Sequence, residues 1–470
     1  LIAFGLAYAL LASFGPTKAT VGGVFAATVA LWITELLPLA MTALLSTSAL
    51  VLLAGVKEKE AFAAYGDPII PLFIGSFLLA KGMELTGLSD RFAYAMMRRR
   101  WANATPAGLL LALGVVACTL SLMVSNTAVT AMMLPIGLAV LTTVDRRAKS
   151  PFAIAVMLTL TWASSVAVGI PVGTPPNLIG RGLIEQATGT RITTLQWMTF
   201  AMPITVIVLL GSWALLWLMY RRDAPPTESA GEAARERLRE MGPMRPSERV
   251  VLIAFLLALT LWILPSLTEI VLDKKHPVTA WLQSHATEAV AALVAASLLF
   301  FVPTKDREEG HAITWREGTT IDWGTILLFG GGIALGQALF SSGLAKDLGQ
   351  LAAQASGANS VWSITALCTL AAIILSELAS NTAAATTLVP VAIGLAQGAG
   401  VNPIAPALGA AIGSSFGFML PVSTAPNAIV YSSGLVPSRE MLRAGILIDL
   451  IGFAAIMLCL RLILPAMGFA

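Results

Sequence analysis

The fold class this sequence predicts is an all-α integral membrane protein, on three observations. The chain of 470 residues is 57% hydrophobic and only 12% charged, with mean hydropathy +0.81, whereas a soluble domain carries about a quarter charged residues. Apolar stretches of roughly 17 to 25 residues, each long enough to cross a hydrocarbon core of about 30 Å as a helix, recur from end to end. Two distant segments also repeat one apolar line around a polar tripeptide, SNTAVTAMMLP from Ser125 and SNTAAATTLVP from Ser380. The short alternating strands of a closed barrel do not occur.

Pro, Gly and charge punctuation place eleven crossing helices near 1–15, 20–38, 40–56, 68–87, 151–190, 199–221, 248–269, 287–303, 323–342, 403–436 and 440–465. The first is read as a helix and not a signal peptide, since no small-residue cleavage site and polar gap follow it. Two more apolar regions, 106–144 and 361–399, each divide into two short helices with Ser-Asn-Thr at the bend. Neither half reads as long enough to span, so each is expected to be a re-entrant hairpin.

Basic residues test that count. The longest polar segment, 221–249, holds Arg221, Arg222, Arg235, Arg237, Arg239, Arg245 and Arg249, and the positive-inside rule makes it cytoplasmic. Arg91 and Arg98 to Arg100, then Arg146, Arg147 and Lys149, fall on the same side only if 106–144 does not cross. Lys305, Arg307, Arg316, Arg439 and Arg443 follow suit, and the N-terminus is placed inside.

The chain reads as two copies. Ser125, Asn126, Thr127 and Pro135 return at Ser380, Asn381, Thr382 and Pro390, and SSVAVGIPVGTPPN from Ser164 aligns with SSFGFMLPVSTAPN from Ser414. FIGSFLLAKGMELTGL at Phe73 aligns more weakly with FGGGIALGQALFSSGL at Phe329. Five helices separate the starts of the copies, so the copies are expected to be inverted in the membrane. Inverted repeats with paired helix breaks are the sequence sign of an alternating-access transporter. The organisation is then an N-terminal helix (1–19), a first repeat (20–221), a cytoplasmic linker (222–246) and a second repeat (247–470). The linker is rich in Pro, Ser and charge and reads as a solvated connector with a short surface helix over 231–241.

Each copy holds two polar interruptions, the Ser-Asn-Thr tip and a break at Gly173 to Asn177 or Ser423 to Asn427. Proline removes a donor and clashes with the preceding turn, and unwound backbone at membrane depth survives only where protein or a wet cavity covers it. Freed carbonyls beside Ser, Thr and Asn oxygens suit a hard monovalent cation such as Na+. Half-helix N-termini at the same place suit an anion. Segments 121–127, 173–177, 376–382 and 423–427 contain no Lys or Arg, so an anion's charge would be balanced by bound cations and helix ends. A lone Ser or Asn in a membrane helix serves as interhelical glue more often than as a ligand; four breaks at matching places favour the functional reading.

Other polar residues are weighed in the same way. Glu377 beside the second tip is expected to orient that loop, with a proton-linked carboxylate as the alternative. Glu35, and Lys81 with Glu84, read as scaffold contacts, and Asp449 has no partner evident in sequence. His276, His285 and His311 sit in or near loops, and Cys118, Cys368 and Cys459 lie within apolar runs without metal-ligand spacing. No activated nucleophile, metal cluster or acid–base pair occurs in any span, which disfavours an enzyme. Closed hairpins in inverted copies disfavour a channel, and a net charge of +3 implies no nucleic-acid partner.

These residues carry a resemblance. LWITELLPLAMTALL, the two Ser-Asn-Thr signatures, GTPPN, SELASNT and LPVSTAPNAIVY resemble the divalent anion:sodium symporter (DASS) family of di- and tricarboxylate transporters over essentially the whole chain. The resemblance implies a homodimer in the inner membrane, an eleven-helix protomer, a dimerising scaffold and a transport domain that moves as an elevator. It implies one Na+ site from Ser121, Ser125, Asn126 and the Gly173 carbonyl, and another from Ser376, Ala379, Asn381 and the Ser423 carbonyl. Dicarboxylate binding would fall to Asn126, Thr127, Thr174, Asn381, Thr382 and Thr424. The expected activity is Na+-coupled transport of C4-dicarboxylates such as succinate, malate or fumarate. A Na+-independent dicarboxylate exchanger and a citrate or sulfate transporter are the alternatives within the family. Segments 88–100 and 344–354 then read as interfacial arms between scaffold and moving domain.

Overall fold

The structure, a computed structural model, describes residues 1–144, 150–222, 224–273, 275–356 and 360–469, with side chains omitted over 352–356. The basic residues Arg146, Arg147 and Lys149 lie outside the described residues. Helices account for the regular structure; among the described residues the β pairing is one isolated bridge, Pro303 with His311.

The two halves run through matching helices. The first holds Pro16–Thr34, Leu39–Ala54, Ile69–Thr86, the arm Leu88–Met97, a hairpin (Pro106–Ser121 and Asn126–Val144), a broken helix (Pro151–Ser165 and Pro175–Thr188) and Thr194–Tyr220. The second holds Pro246–Leu272, Glu288–Phe301, Trp323–Ser341, the arm Leu344–Ser356, a hairpin (Val361–Leu378 and Asn381–Gly398), a broken helix (Ile404–Gly413 and Ala425–Ser432) and Ser438–Ile463.

Contacts between the halves come in matched pairs. Leu39–Ala54 packs on Trp323–Ser341, and its counterpart Glu288–Phe301 packs on Ile69–Thr86. Both crossings are close because a glycine stands at each. A Cβ on Gly75 would lie 2.6 Å from the Ala292 backbone, and one on Gly331 would lie 2.6 Å from Ala43 Cβ. Similarly, Asn126–Val144 packs on Ala425–Ser432 while Asn381–Gly398 packs on Pro175–Thr188. Each hairpin therefore meets the broken helix of the other half.

Among the described residues, eight helices are long and apolar enough to cross a membrane, or nine if Pro277–His285 and Glu288–Phe301, bent by 70°, form one span. The eleven segments read from sequence differ from this in four ways, one being that 40–56 contracts to the 16 residues of Leu39–Ala54, below span length. The first segment contracts to Ile2–Leu11, ten residues, which at 1.5 Å per residue do not cross alone. The segments 151–190 and 403–436 are each cut in two by their Pro-containing breaks. Conversely, one arm of each hairpin reaches span length, Asn126–Val144 with 19 residues and Val361–Leu378 with 18, so hairpin arms are longer than their sequence suggested. Large apolar side chains such as Leu52, Leu218, Ile253, Ile270 and Leu462 stay exposed, as a surface facing lipid requires.

The linker is docked, contrary to its reading as a solvated connector. Its helix Glu228–Glu240 buries Ala230, Gly231 and Ala234 against the first arm and the first hairpin. Thr227 Oγ1 donates to Asn103 O at 2.9 Å. Arg91 donates to Gly242 O at 2.8 Å and to Glu248 Oε2 at 2.9 Å, pinning the end of the linker to the arm.

Candidate functional site

Each tip is the start of a helix. Ser380 Oγ accepts from Ala383 N at 3.2 Å and Ser125 Oγ from Ala128 N at 3.3 Å, the capping contact that Ser supplies from the first non-helical position. Asn126, Thr127, Asn381 and Thr382 therefore occupy first turns, whose amides lack intrahelical acceptors and carry the positive end of the dipole. The second broken helix resumes in the same way, and the first with a backbone acceptor in place of the side chain. Thr424 Oγ1 accepts from Asn427 N at 3.2 Å, and Thr174 O accepts from Asn177 N at 3.2 Å.

Four such starts converge on one open cavity of ≈ 860 Å³, lined by both tips, Ser125 to Thr127 and Ser380 to Thr382, together with Gly173, Ala379, Ser423 and Thr424. Of the residues proposed from sequence, Asn126, Thr127, Asn381, Thr382 and Thr424 face this space. Thr174 is placed differently: it is buried behind the wall, and its hydroxyl lies 2.8 Å from Ser415 Oγ. That contact joins the two breaks across the halves.

The oxygen clusters expected to hold cations recur as a pair. Ser121 Oγ donates to Asn126 Oδ1 at 2.7 Å, and Ser376 Oγ donates to Asn381 Oδ1 at 2.8 Å and to Ser414 O at 2.8 Å. Ser121 and Ser376 are fully buried just behind the lining. Gly173 sits against carbonyls: a Cβ there would lie 2.6 Å from Ala167 O and 3.2 Å from Leu122 O. Uncharged hydroxyl, amide and carbonyl oxygens at two matched places fit hard monovalent cations.

The breaks are held open by asparagines that sequence reading matched between the copies without assigning them a role. Asn177 Nδ2 donates to Val168 O and Ile170 O, at 3.1 and 3.2 Å; Asn427 Nδ2 donates to Gly417 O and Leu420 O, at 2.9 and 3.0 Å. Thr161 Oγ1 then donates to Asn427 Oδ1 at 2.7 Å. Ser165 lines the cavity, and Asn381 Nδ2 donates to Ser415 O at 3.3 Å. The sequence signal for both serines is their place in the aligned SS…PN runs.

The opposite wall comes from other helices: Thr34, Glu35, Ser76, Lys81, Glu84, Asp322 and Thr325. Lys81 pairs with Glu84 at 3.1 Å, the contact expected of them. Among the described residues Glu35 makes no such contact; it ends its helix at φ 48°, a left-handed conformation rare for a side chain of this kind. The exposed rim at Glu35, Glu84 and Asp322 lies by helix ends that meet the arginine-rich face, where Arg245 donates to Thr86 O and Arg307 pairs with Glu317 at 2.5 Å.

Residues 11–465 match the family described as the sodium:sulfate symporter transmembrane region. Among curated relatives, the sodium-dependent dicarboxylate transporter SdcS of Staphylococcus saprophyticus subsp. saprophyticus is 32% identical over 468 residues, covering 96% of this chain and 88% of that protein. Its namesake from Staphylococcus aureus (strain MRSA252) is 34% identical over 446 residues, covering 92% and 84%. Among solved structures, the Alcanivorax borkumensis YdaH transporter aligns with TM-score 0.58 at 16% identity over 86% of each chain. Neisseria gonorrhoeae MtrF, described within a class of antimetabolite efflux pumps, aligns with TM-score 0.59 at 12% identity over 89% of this chain and 85% of its own. At such identities the likeness is one of fold.

Proposed function

The chain belongs to the sodium:sulfate symporter family and is a multi-pass membrane transporter rather than an enzyme, and from this we propose that it carries C4-dicarboxylates such as succinate, malate or fumarate together with Na+. The observation that carries the reading is the meeting of both Ser-Asn-Thr tips and both breaks on one cavity. Two helix starts with free amides are offered there to the two carboxylates of a small dianion. Asn126 and Thr127 take one carboxylate, and Asn381, Thr382 and Thr424 the other. Thr174 acts from behind through Ser415.

Two Na+ ions occupy the matched oxygen clusters, one at Ser121, Ser125, Asn126 and the Gly173 carbonyl, the other at Ser376, Ala379, Asn381 and the Ser423 carbonyl. Among the described residues the basic side chain in the cavity wall is Lys81, and Glu84 pairs with it. The dianion's charge therefore falls to Na+ and the helix ends, which makes coupling obligatory. The sodium-dependent dicarboxylate transport for which the SdcS relatives are named supports both the cation and the substrate class.

The protomer is read as two inverted repeats, in a homodimer of the inner membrane with the N-terminus and linker inside. The hairpins and broken helices move as a unit past the scaffold, in an elevator motion. The cavity rim beside the arginine-rich face supports an inward-facing reading of this arrangement.

The test is uptake of radiolabelled succinate into proteoliposomes, with an inward Na+ gradient or with K+ or choline in its place, into empty or succinate-loaded vesicles. Na+-dependent uptake into empty vesicles is expected. Uptake without Na+, and only into loaded vesicles, identifies an exchanger and refutes the symport reading.

A further inference from the structure

Thr161 spends its hydroxyl outside its own helix. Thr159, on the same helix Pro151–Ser165, bonds back one turn to Ala155 O at 2.8 Å, an ordinary use of a hydroxyl in a helix. Thr161 reaches instead into the second half and donates to Asn427 Oδ1 at 2.7 Å. Both residues are fully buried.

The amide of Asn427 is committed on both sides. Its Nδ2 donates to Gly417 O at 2.9 Å, Leu420 O at 3.0 Å and Ser423 Oγ at 3.1 Å. Its Oδ1 therefore needs a donor, and among the described residues Thr161 supplies it. The three acceptors span the unwound stretch that wraps the second cation cluster. A Cβ on Gly417 would lie 3.1 Å from Ser376 O, and Ser423 offers the carbonyl read as a ligand. Glu377 holds the same stretch from within the second half, accepting from Met419 N at 2.8 Å and Leu420 N at 3.2 Å, the orienting contact expected of it.

The other break lacks a tie of this kind. Asn177 Nδ2 likewise grips two carbonyls of its own stretch, but its buried Oδ1 meets no donor among the described residues. The alignment that pairs Ser164 with Ser414 puts Ala411 at the place of Thr161. Ala411 packs on Gly180 and has no hydroxyl to give. The helices themselves are matched, since the first piece of each broken helix packs on the second piece of the other. The cross-link between halves is thus the work of one side chain and not of the fold as such.

We propose that Thr161 is a positioning residue for Na+ binding at the second site, acting from the opposite half. Its hydroxyl fixes the orientation of the Asn427 amide, and the amide sets the Gly417, Leu420 and Ser423 groups that close round Ser376. Without the hydroxyl a buried amide oxygen is left with no donor, a cost that is relieved when the amide turns away from the carbonyls it holds. The inference rests on the Na+-coupled reading above.

The experiment measures succinate uptake into proteoliposomes of the full-length protein as a function of Na+, together with melting in Na+-free detergent. Thr161→Val, which exchanges the hydroxyl for a methyl of similar size, is expected to raise the half-saturating Na+ concentration about five- to tenfold. The KM for succinate at saturating Na+ is expected to change by less than about twofold. Thr161→Ser, which keeps the hydroxyl, is expected to return the Na+ dependence to near that of wild type, and Thr159→Val to leave it unchanged.

An unchanged Na+ dependence in a folded Thr161→Val protein overturns the proposal. So does an equal shift in Thr159→Val, which would mark a general loosening of the helix. If Thr161→Val does not fold, Thr161→Ala removes the same hydroxyl without adding bulk and decides; failure of both to fold shows a purely structural role and also overturns the proposal. Wild-type uptake that is independent of Na+ fails at the symport reading instead, a distinguishable result.

Discussion

Arg181 and Glu288 form a buried ion pair between the second piece of the first broken helix and Glu288–Phe301. Glu288 Oε1 also accepts from Thr194 N at 3.0 Å and Thr194 Oγ1 at 2.6 Å. Among the described residues Arg181 Nε and Nη1 have no hydrogen-bond partner, and Glu288 is the acid that answers its charge. Thr194 opens the 27-residue helix Thr194–Tyr220, whose other end meets the arginine-rich segment. The pair therefore ties the first broken helix to Glu288–Phe301 and to the start of Thr194–Tyr220.

Removing one member leaves an uncompensated buried charge, at a cost of about 3 to 5 kcal/mol. Glu288→Gln is expected to unfold at distinctly lower temperature in detergent than wild type, and Arg181→Gln/Glu288→Gln to recover much of the loss. Equal melting of Glu288→Gln and wild type would show that the pair does not hold these helices together.

Gly173 and Ser423 occupy matching breaks and meet opposite surroundings. A Cβ on Gly173 would lie 2.6 Å from the backbone Ala167 O, whereas Ser423 carries a Cβ at the matching place. Its hydroxyl donates to Gly417 O at 2.9 Å and Leu420 O at 2.8 Å. Gly173→Ala is expected to abolish Na+-dependent succinate uptake, and uptake retained in that variant would remove the Gly173 carbonyl from the site. Ser423→Ala keeps the carbonyl and loses only the hydroxyl contacts, about 1 kcal/mol each, so its uptake persists at reduced Na+ affinity.

The tips carry the sharpest claim on the substrate. Asn126→Ala and Asn381→Ala are each expected to abolish uptake while eluting from size exclusion as wild type does. Each loses the amide oxygen that Ser121 or Ser376 now meets. Transport retained in both variants would remove these residues from the site.

Asp306 anchors the start of Pro246–Leu272, accepting from Ser247 N at 3.1 Å and from Ser247 Oγ at 2.5 Å. Burial opposes its charge, but the Ser247 hydrogen bonds outweigh that and hold the carboxyl below its ordinary value of 3.8. A depressed folded-state value means that its contribution is complete above the ordinary value and is lost as pH falls through it toward the folded one. Melting temperature measured from pH 7 down to about 3 is therefore expected to fall less steeply for Asp306→Asn than for wild type. Parallel curves would contradict the assignment.

Much of the cavity was legible in the sequence because its signals are local. A Ser before Asn-Thr in an apolar run announces a helix start, and a Pro within such a run announces a break, wherever the chain then goes. Ser125 to Thr127, Ser380 to Thr382, Gly173 and Ser423 were found in this way, and their repetition pointed to one shared site. The far wall was not legible. Lys81 and Glu84 read as a scaffold pair, which they are, but nothing in their spacing says that they face the tips. Asp449 read as partnerless because Glu377 lies in another helix of the second half.

By itself the sequence determined the helical membrane class, the two copies and the polar chemistry of the tips and breaks, since hydropathy, capping and proline act over a few residues. Only the tertiary structure decided which polar groups meet. Thr174 turns from the cavity to Ser415, Asn427 takes its partner Thr161 from the other half, Glu377 finds Asp449, and Arg181 finds Glu288. In a buried, apolar surround each polar side chain needs a partner, and the packing of helices far apart in sequence selects it.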